Sequence, residues 1–312
     1  MTAKPRILVL TTGGTILQRV VSGKMEVAVP IHDIAQGLDD EAELEFQEVT
    51  RVSGAEMDFT VLLQIRDVIA SARARGVAGV VLTTGTDSLE EMAFALDLLL
   101  PPTGPVVVTG AMKPTSALGY DGGANLADSI RVVLSEEARD LGVLVAMSGN
   151  VHAAQYLRKQ DSALFSAFQS HPGPIADIRR GKPQYYYAKL PEVTHFPNVD
   201  ASTLAGLKVM IWTMTIQPFL PEPCFPDLDG LIVAGMGTGS LSREIIDKLS
   251  PWTERMPVVL TTRCPTGSNY DDHLYKGSLE KYEGQGFRLQ GYEGLNPLQA
   301  RIKLMMQLAT SP

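Results

Sequence analysis

Along the chain, short runs of β-branched and other apolar residues are each followed by a Thr- and Gly-rich segment and then by a stretch with helical spacing. Strands are expected at about residues 6–11, 77–83, 105–109, 142–147, 207–213, 230–234 and 257–261. This alternation is the pattern of an α/β fold with parallel strands joined by crossover helices. Between the first two strands Val61, Ile65, Val68, Ile69 and Ala72 recur at helical spacing, and Gly76 follows a basic last turn, which predicts a helix over 57–75. A second helix is expected from Ser88, where Ser88 to Glu91 reads as a capping box, through Leu89, Met92, Leu96 and Leu99 to the stop at Pro101 and Pro102. After Gly181 the rhythm breaks over 183–206, which holds Tyr185, Tyr186, Tyr187, Pro191 and Pro197. That segment reads as a linker between residues 1–182 and 207–312. The proline-dense stretch Pro218, Pro221, Pro223 and Pro226 excludes a regular helix, and Asn296 with Pro297 opens a last helix that buries Leu298, Ile302, Met305 and Leu308.

Composition narrows the class of protein. The 312 residues are 45% hydrophobic and 20% charged, enough to bury a sizeable core and unlike a disordered or low-complexity chain. The apolar runs are short, so neither a membrane span nor a signal-peptide core is expected, and the cytoplasm is the expected compartment. With 27 Lys and Arg against 35 Asp and Glu, the net charge is -8, and nucleic acid is a disfavoured partner. Cys224 and Cys264 form no CxxC pair and provide no disulfide framework, and the five histidines form no HxH or HExxH pattern, so no metal is expected.

The chemistry lies in a phrase repeated at three strand ends: Val9 to Gly13, Val81 to Gly85 and Val259 to Thr262. Thr simply suits strand termini, which is reading enough for the third copy. The first two continue as Thr12-Gly13-Gly14-Thr15 and Thr84-Gly85-Thr86-Asp87. Ligands of an open parallel sheet sit beyond the carboxyl ends of its strands, so both phrases aim hydroxyls and backbone N–H groups into one crevice. A Thr hydroxyl becomes a nucleophile only if a base takes its proton, so a threonine mechanism needs a Lys, Asp or Tyr nearby. The loop Gly235 to Gly239 is a near miss of a dinucleotide motif, with Ser240 where the third glycine would stand.

Together, Thr12-Gly13-Gly14-Thr15-Ile16 and Thr84 through Glu91 resemble the two signatures of the bacterial L-asparaginase/glutaminase family. Gly110 to Pro114, Asp121-Gly122 with Asn125-Leu126, Pro265-Thr266-Gly267 and Asn296-Pro297 match it in order, over nearly the whole chain. The resemblance implies a doubly wound, mostly parallel sheet in a larger N-terminal domain and a smaller C-terminal α/β domain. It also implies a homotetramer of tight dimers, with each site closed by the neighbouring chain. The implied reaction is hydrolysis of a small side-chain amide, L-asparagine first, without a cofactor. By position, Thr12 matches the primary nucleophile, and Thr86, Asp87 and Lys159 match the second threonine with its aspartate and lysine. The backbone of Ala111 and Thr86 would bind the carbonyl oxygen, Asp87 would bind a substrate ammonium, and Ser240 stands near where a partner-chain asparagine completes the site.

Several positions depart from the family. No tyrosine occurs before Tyr120, so Val20 or Val21 replaces the lid tyrosine that bonds the nucleophile. Gly54 and Ala55 align with the Ser and Gln that grip the substrate α-carboxylate, and Thr84 replaces a histidine. An amide that differs from free asparagine at that end, or a lactam or imide, is therefore the alternative substrate. A nucleotide-dependent oxidoreductase using Gly235 to Gly239, and a binding-only descendant, are the readings from other classes.

Overall fold

The structure is a computed structural model that describes residues 3–38 and 40–310. The chain forms two compact units, Met1–Pro197 and Asn198–Pro312. In the first, β1 (Arg6–Gly13) leads into the hairpin β2 (Gln18–Val21) and β3 (Lys24–Val27), then α1 (Ile31–Ile34), β4 (Glu43–Val52) and α2 (Phe59–Ala74). The helix α2 starts where Asp58 accepts the Val61 N–H at 2.9 Å, and it buries Leu62, Leu63, Ile65, Ile69 and Ala72. After β5 (Gly79–Thr83) comes α3 (Leu89–Leu99), then β6 (Val106–Thr109) and α4 (Gly122–Leu134). The remaining strands are β7 (Val143–Met147), β8 (Asn150–Ala153), β9 (Leu157–Lys159), β10 (Phe168–Ser170), β11 (Ala176–Arg179) and β12 (Lys182–Tyr185).

Eight of these strands form one sheet in the order β12-β11-β8-β7-β6-β5-β1-β4. From β4 to β7 every pair is parallel, and from β7 to β12 every pair is antiparallel. The parallel strands β5, β6 and β7 are buried along their whole length, which is why they read as continuous apolar runs. The edge strand β4 was not among the expected strands, because it alternates Glu43, Glu45 and Gln47 with Leu44 and Phe46 and carries charge as an exposed edge does. Residues 183–185 do not leave the unit, since Lys182–Tyr185 pairs with β11 and extends the sheet.

The expected capping box at Ser88 is not formed. Ser88 has φ -110° and ψ 4°, outside the extended N-cap conformation, and its hydroxyl makes no cap hydrogen bond.

In the second unit, α5 (Ala201–Gly206), β13 (Val209–Thr213), β14 (Gly230–Gly235), α6 (Arg243–Thr253), β15 (Val258–Thr262), α7 (Ser278–Glu283) and α8 (Pro297–Thr310) follow in order. The three strands make a parallel sheet with β14 central. The proline-dense stretch forms a 3₁₀ turn over Glu222–Asp227. At α8, Asn296 Oδ1 accepts the Gln299 N–H at 2.7 Å, the expected cap. Among the described residues no helix is long and apolar enough to cross a membrane, and no group of His, Cys, Asp or Glu is arranged to hold a metal ion.

Candidate active site

Three loops meet at the carboxyl ends of neighbouring strands in the first unit. Thr11 of β1 is in register with Thr83 of β5, so the two Thr-Thr phrases end side by side. Next to Thr12 the β1–β4 ladder is irregular, with Thr11 facing Glu48 but Gly13 facing Val52. Such a break re-aims the chain at a strand end. Gly14, at φ 81°, lies so close to the second loop that a Cβ there would stand 2.5 Å from the Gly85 nitrogen. A Cβ on Gly85 would stand 2.7 Å from the Gly54 nitrogen. Backbone therefore packs directly on backbone, and the glycines of all three loops are a packing requirement.

Within this junction Thr12 is wholly buried, and its hydroxyl donates to Thr84 Oγ1 at 2.9 Å, with the Thr83 carbonyl farther at 3.4 Å. Thr84, which stands where the resemblance expects a histidine, thus accepts the Thr12 hydroxyl directly. The repeated Thr-Thr phrase placed Thr84 at the crevice, but its pairing with Thr12 follows only from the parallel register of β1 and β5.

The second cluster is built by Thr86, Asp87 and Lys159. The Lys159 Nζ donates to Thr86 Oγ1 at 3.1 Å and to Asp87 Oδ1 at 3.0 Å. Its side chain is 15% exposed, whereas that of Asp87 is 69% exposed, so the ion pair has one anchored and one solvated end. Lys159 closes β9, and its backbone N–H donates to Glu90 Oε2 at 3.0 Å in the first turn of α3. This contact joins the β9 end to the helix start that carries Thr86. Burial pushes Glu90 above the usual carboxylate range, opposed first by that N–H and then by Arg158 and Lys159. Burial also lowers Arg158 to about 10, opposed by Glu90. With Lys159 donating to its oxygen, Thr86 keeps its own proton to give to a ligand.

Ala111 is fully buried on the loop after β6. Asp121 holds this loop by accepting the Met112 N–H and the Lys113 N–H, both at 3.0 Å, while Asn125 Nδ2 donates to the Gly110 carbonyl at 3.0 Å. Gly110 lies against the second signature, since a Cβ there would meet the Thr84 carbonyl at 2.7 Å and Thr86 Cγ2 at 3.3 Å. Gly54 contacts the same region, because a Cβ on it would lie 3.1 Å from Asp87 Cβ. Ala55 is exposed on the short turn Gly54–Glu56 and adds no polar side-chain atom. Thr12, Gly54, Thr86, Asp87, Ala111 and Lys159 are thus carried by adjoining segments of one unit.

Ser240 belongs to the second unit, where its backbone N–H and carbonyl pair with Met236. That pairing folds Gly235 to Ser240 back on itself, and α6 begins only at Arg243, capped by Ser242. A dinucleotide loop would instead aim free N–H groups from a helix start at a phosphate, which this closed turn does not do.

Two family descriptions match the chain: asparaginase, N-terminal, over residues 6–191, and glutaminase/asparaginase C-terminal domain over residues 220–312. L-asparaginase 2 of Escherichia coli (strain K12) is 30% identical over 98% of this chain and 89% of its own. A probable L-asparaginase of Deinococcus radiodurans is 32% identical over 97% of this chain and 93% of its own. The crystal structure of a probable cytoplasmic L-asparaginase from Campylobacter jejuni superposes with a TM-score of 0.87 at 30% identity, covering 99% of this chain and 96% of that one.

Proposed function

The chain belongs to the asparaginase family, and from that membership we propose that it is an amidohydrolase releasing ammonia from L-asparagine to give L-aspartate. The observation that carries the reading is the Lys159 ammonium bridging Thr86 Oγ1 and Asp87 Oδ1 beside the buried Thr12–Thr84 hydroxyl pair. The Thr12 hydroxyl oxygen attacks the side-chain amide carbonyl. Its proton passes through neighbouring hydroxyls, and the C–N bond breaks as the nitrogen leaves protonated as ammonia. Water then attacks the resulting ester, the C–O bond to Thr12 breaks, and the threonine hydroxyl and the acid are restored.

Thr86, with its oxygen held by Lys159, gives and retrieves the proton, while the Ala111 and Thr86 backbone N–H groups stabilise the carbonyl oxygen. Asp87, exposed and anionic, receives the substrate ammonium. The lysine ion pair draws on a local charge that the net -8 of the chain does not oppose at short range.

A second reading is favoured by Gly54 and Ala55, which have no side-chain donor where an α-carboxylate would be gripped. On that reading the preferred amide lacks the free α-carboxylate. One screen decides between them: ammonia release from L-asparagine, D-asparagine, L-glutamine, succinamate and small cyclic amides. L-Asparagine leading the series supports the first reading, and a faster cyclic amide, which carries no free α-carboxylate, supports the second. Thr12→Ala and Thr86→Ala are each expected to abolish release on the preferred amide, and full activity in both overturns the mechanism. The cytoplasm as compartment and a tetramer of tight dimers complete the proposal, the latter measured by light scattering on the purified chain.

A further inference from the structure

A short sequence, Tyr120-Asp121-Gly122, faces both halves of the candidate site. Asp121 fixes the loop of Ala111 through the Met112 and Lys113 N–H groups. Its neighbour Tyr120 turns the other way, donating its phenol O–H to the Ile16 carbonyl at 2.8 Å, four residues after Thr12. Burial, and then the Asp121 carboxylate beside it, raise the phenol well above its ordinary value, so it stays protonated as a donor. Gly122 makes room for this, since a Cβ there would lie 2.2 Å from the Tyr120 oxygen and 2.7 Å from Ile16 Cγ1. The same loop grips the hairpin beyond. The Thr115 N–H and hydroxyl both donate to the Gln18 carbonyl at 2.8 Å, and Ser116 Oγ accepts the Val20 N–H at 3.2 Å.

We infer that Tyr120 is a positioning residue that locks the turn following Thr12 to the loop carrying Ala111, so that nucleophile and carbonyl-oxygen site are held as one body. The inference rests on the proposed amidohydrolase reading for its kinetic consequence, but not for its structural one. Attack requires the threonine oxygen and the oxyanion donors at a fixed mutual distance, and a hydrogen bond between the two segments removes a freedom that each turnover would otherwise have to suppress. Val20 and Val21 offer no polar group in the hairpin for this purpose, and the tie comes from outside it.

Tyr120→Phe keeps the ring and removes only the donor. It is expected to lower kcat about tenfold with KM changed by less than about twofold. It should also accelerate amide hydrogen exchange in residues 16–21. Tyr185→Phe is the control, because that half-buried phenol bonds Ser135 at 2.8 Å, outside the site residues named above. The control should leave kcat and exchange of 16–21 unchanged. Wild-type exchange and kcat in Tyr120→Phe, or an equal kcat loss in Tyr185→Phe, overturns the inference. Tyr120→Met, which fills similar space without the donor, serves if Tyr120→Phe does not fold: faster exchange in 16–21 with reduced kcat supports the lock, and wild-type exchange and kcat refute it. Should the wild-type chain release ammonia from no amide, the functional reading fails, while the exchange comparison still decides the lock.

Discussion

At the scale of single residues, the site is two hydrogen-bonded pairs: one between two hydroxyls, the other between an ammonium and a hydroxyl. The Thr12 hydroxyl donates a hydrogen bond to Thr84, a buried and neutral acceptor, whereas the Thr86 hydroxyl oxygen accepts one from the Lys159 ammonium. Thr84→Val keeps the shape and removes the acceptor. Its expected effect is a loss of roughly tenfold or more in kcat with the fold intact, and Thr84→Ser should recover most of it. Steady-state kinetics on the preferred amide with a thermal melt for each variant check this. Lys159→Met leaves Thr86 without its bonded ammonium and Asp87 unpaired, and kcat should fall by about 10² to 10⁴. The pairing of Lys159 with Thr86 was legible only by resemblance, since the two residues lie far apart in sequence. Thr84 was visible, but its contact depended on the β1–β5 register, which no local pattern states.

Elements show which parts of the chain advertise themselves. The buried parallel strands β1, β5, β6 and β7 and the amphipathic α2 were readable because burial on two faces or on one leaves a simple hydrophobic signature. The edge strand β4 and the short antiparallel strands β8, β11 and β12 did not, because partial exposure dilutes the alternation. The capping box at Ser88 failed although its spacing was right. Ser88 lies outside the extended N-cap conformation, and two residues earlier Thr86 is held by Lys159, so sequence spacing alone did not set this turn. The end of α3 carries a second consequence. Asp97 is buried and accepts the Val143 N–H at 2.7 Å where β7 starts, and burial raises its carboxyl to about 7. The folded state then binds more protons than the unfolded chain between about pH 4 and pH 7, so this group's contribution to stability is full below that window and is lost as pH rises through it. Asp97→Asn, whose amide oxygen still accepts the Val143 N–H, should raise the melting temperature more at pH 8 than at pH 5. The gain is bounded by about 4 kcal/mol. Equal shifts at both pH values would refute the account. At the glycine junction, Gly14→Ala forces a Cβ within 2.5 Å of backbone at φ 81°, and loss of soluble folded protein is the expected outcome.

For the whole molecule, the division into Met1–Pro197 and Asn198–Pro312 puts Thr12, Thr86, Asp87 and Lys159 in one unit and Ser240 in the other. If the second unit of a neighbouring chain completes the site, Ser240→Ala raises KM, and refolding it together with Thr12→Ala restores a fraction of low-KM turnover. Hybrid pairs would then hold one intact site each, about a quarter of all sites at equal mixing. No recovery in the mixture would place Ser240 outside any shared site. The net charge of -8 adds a further expectation: a zwitterionic amide carries no net charge to be repelled at long range, so kcat/KM should change less than about twofold between low and physiological ionic strength. By itself the sequence determined the α/β class, the strands that lie wholly in the core and the two Thr-Gly loops, because hydrophobic periodicity and glycine-rich strand ends are local properties. Tertiary structure decided which hydroxyl holds Thr12, where the Lys159 charge is spent, why Gly54 carries no side chain and how Tyr120 ties two loops together. Each of these depends on parallel register and loop packing between segments far apart in the chain, and those distances exist only once the sheet has formed.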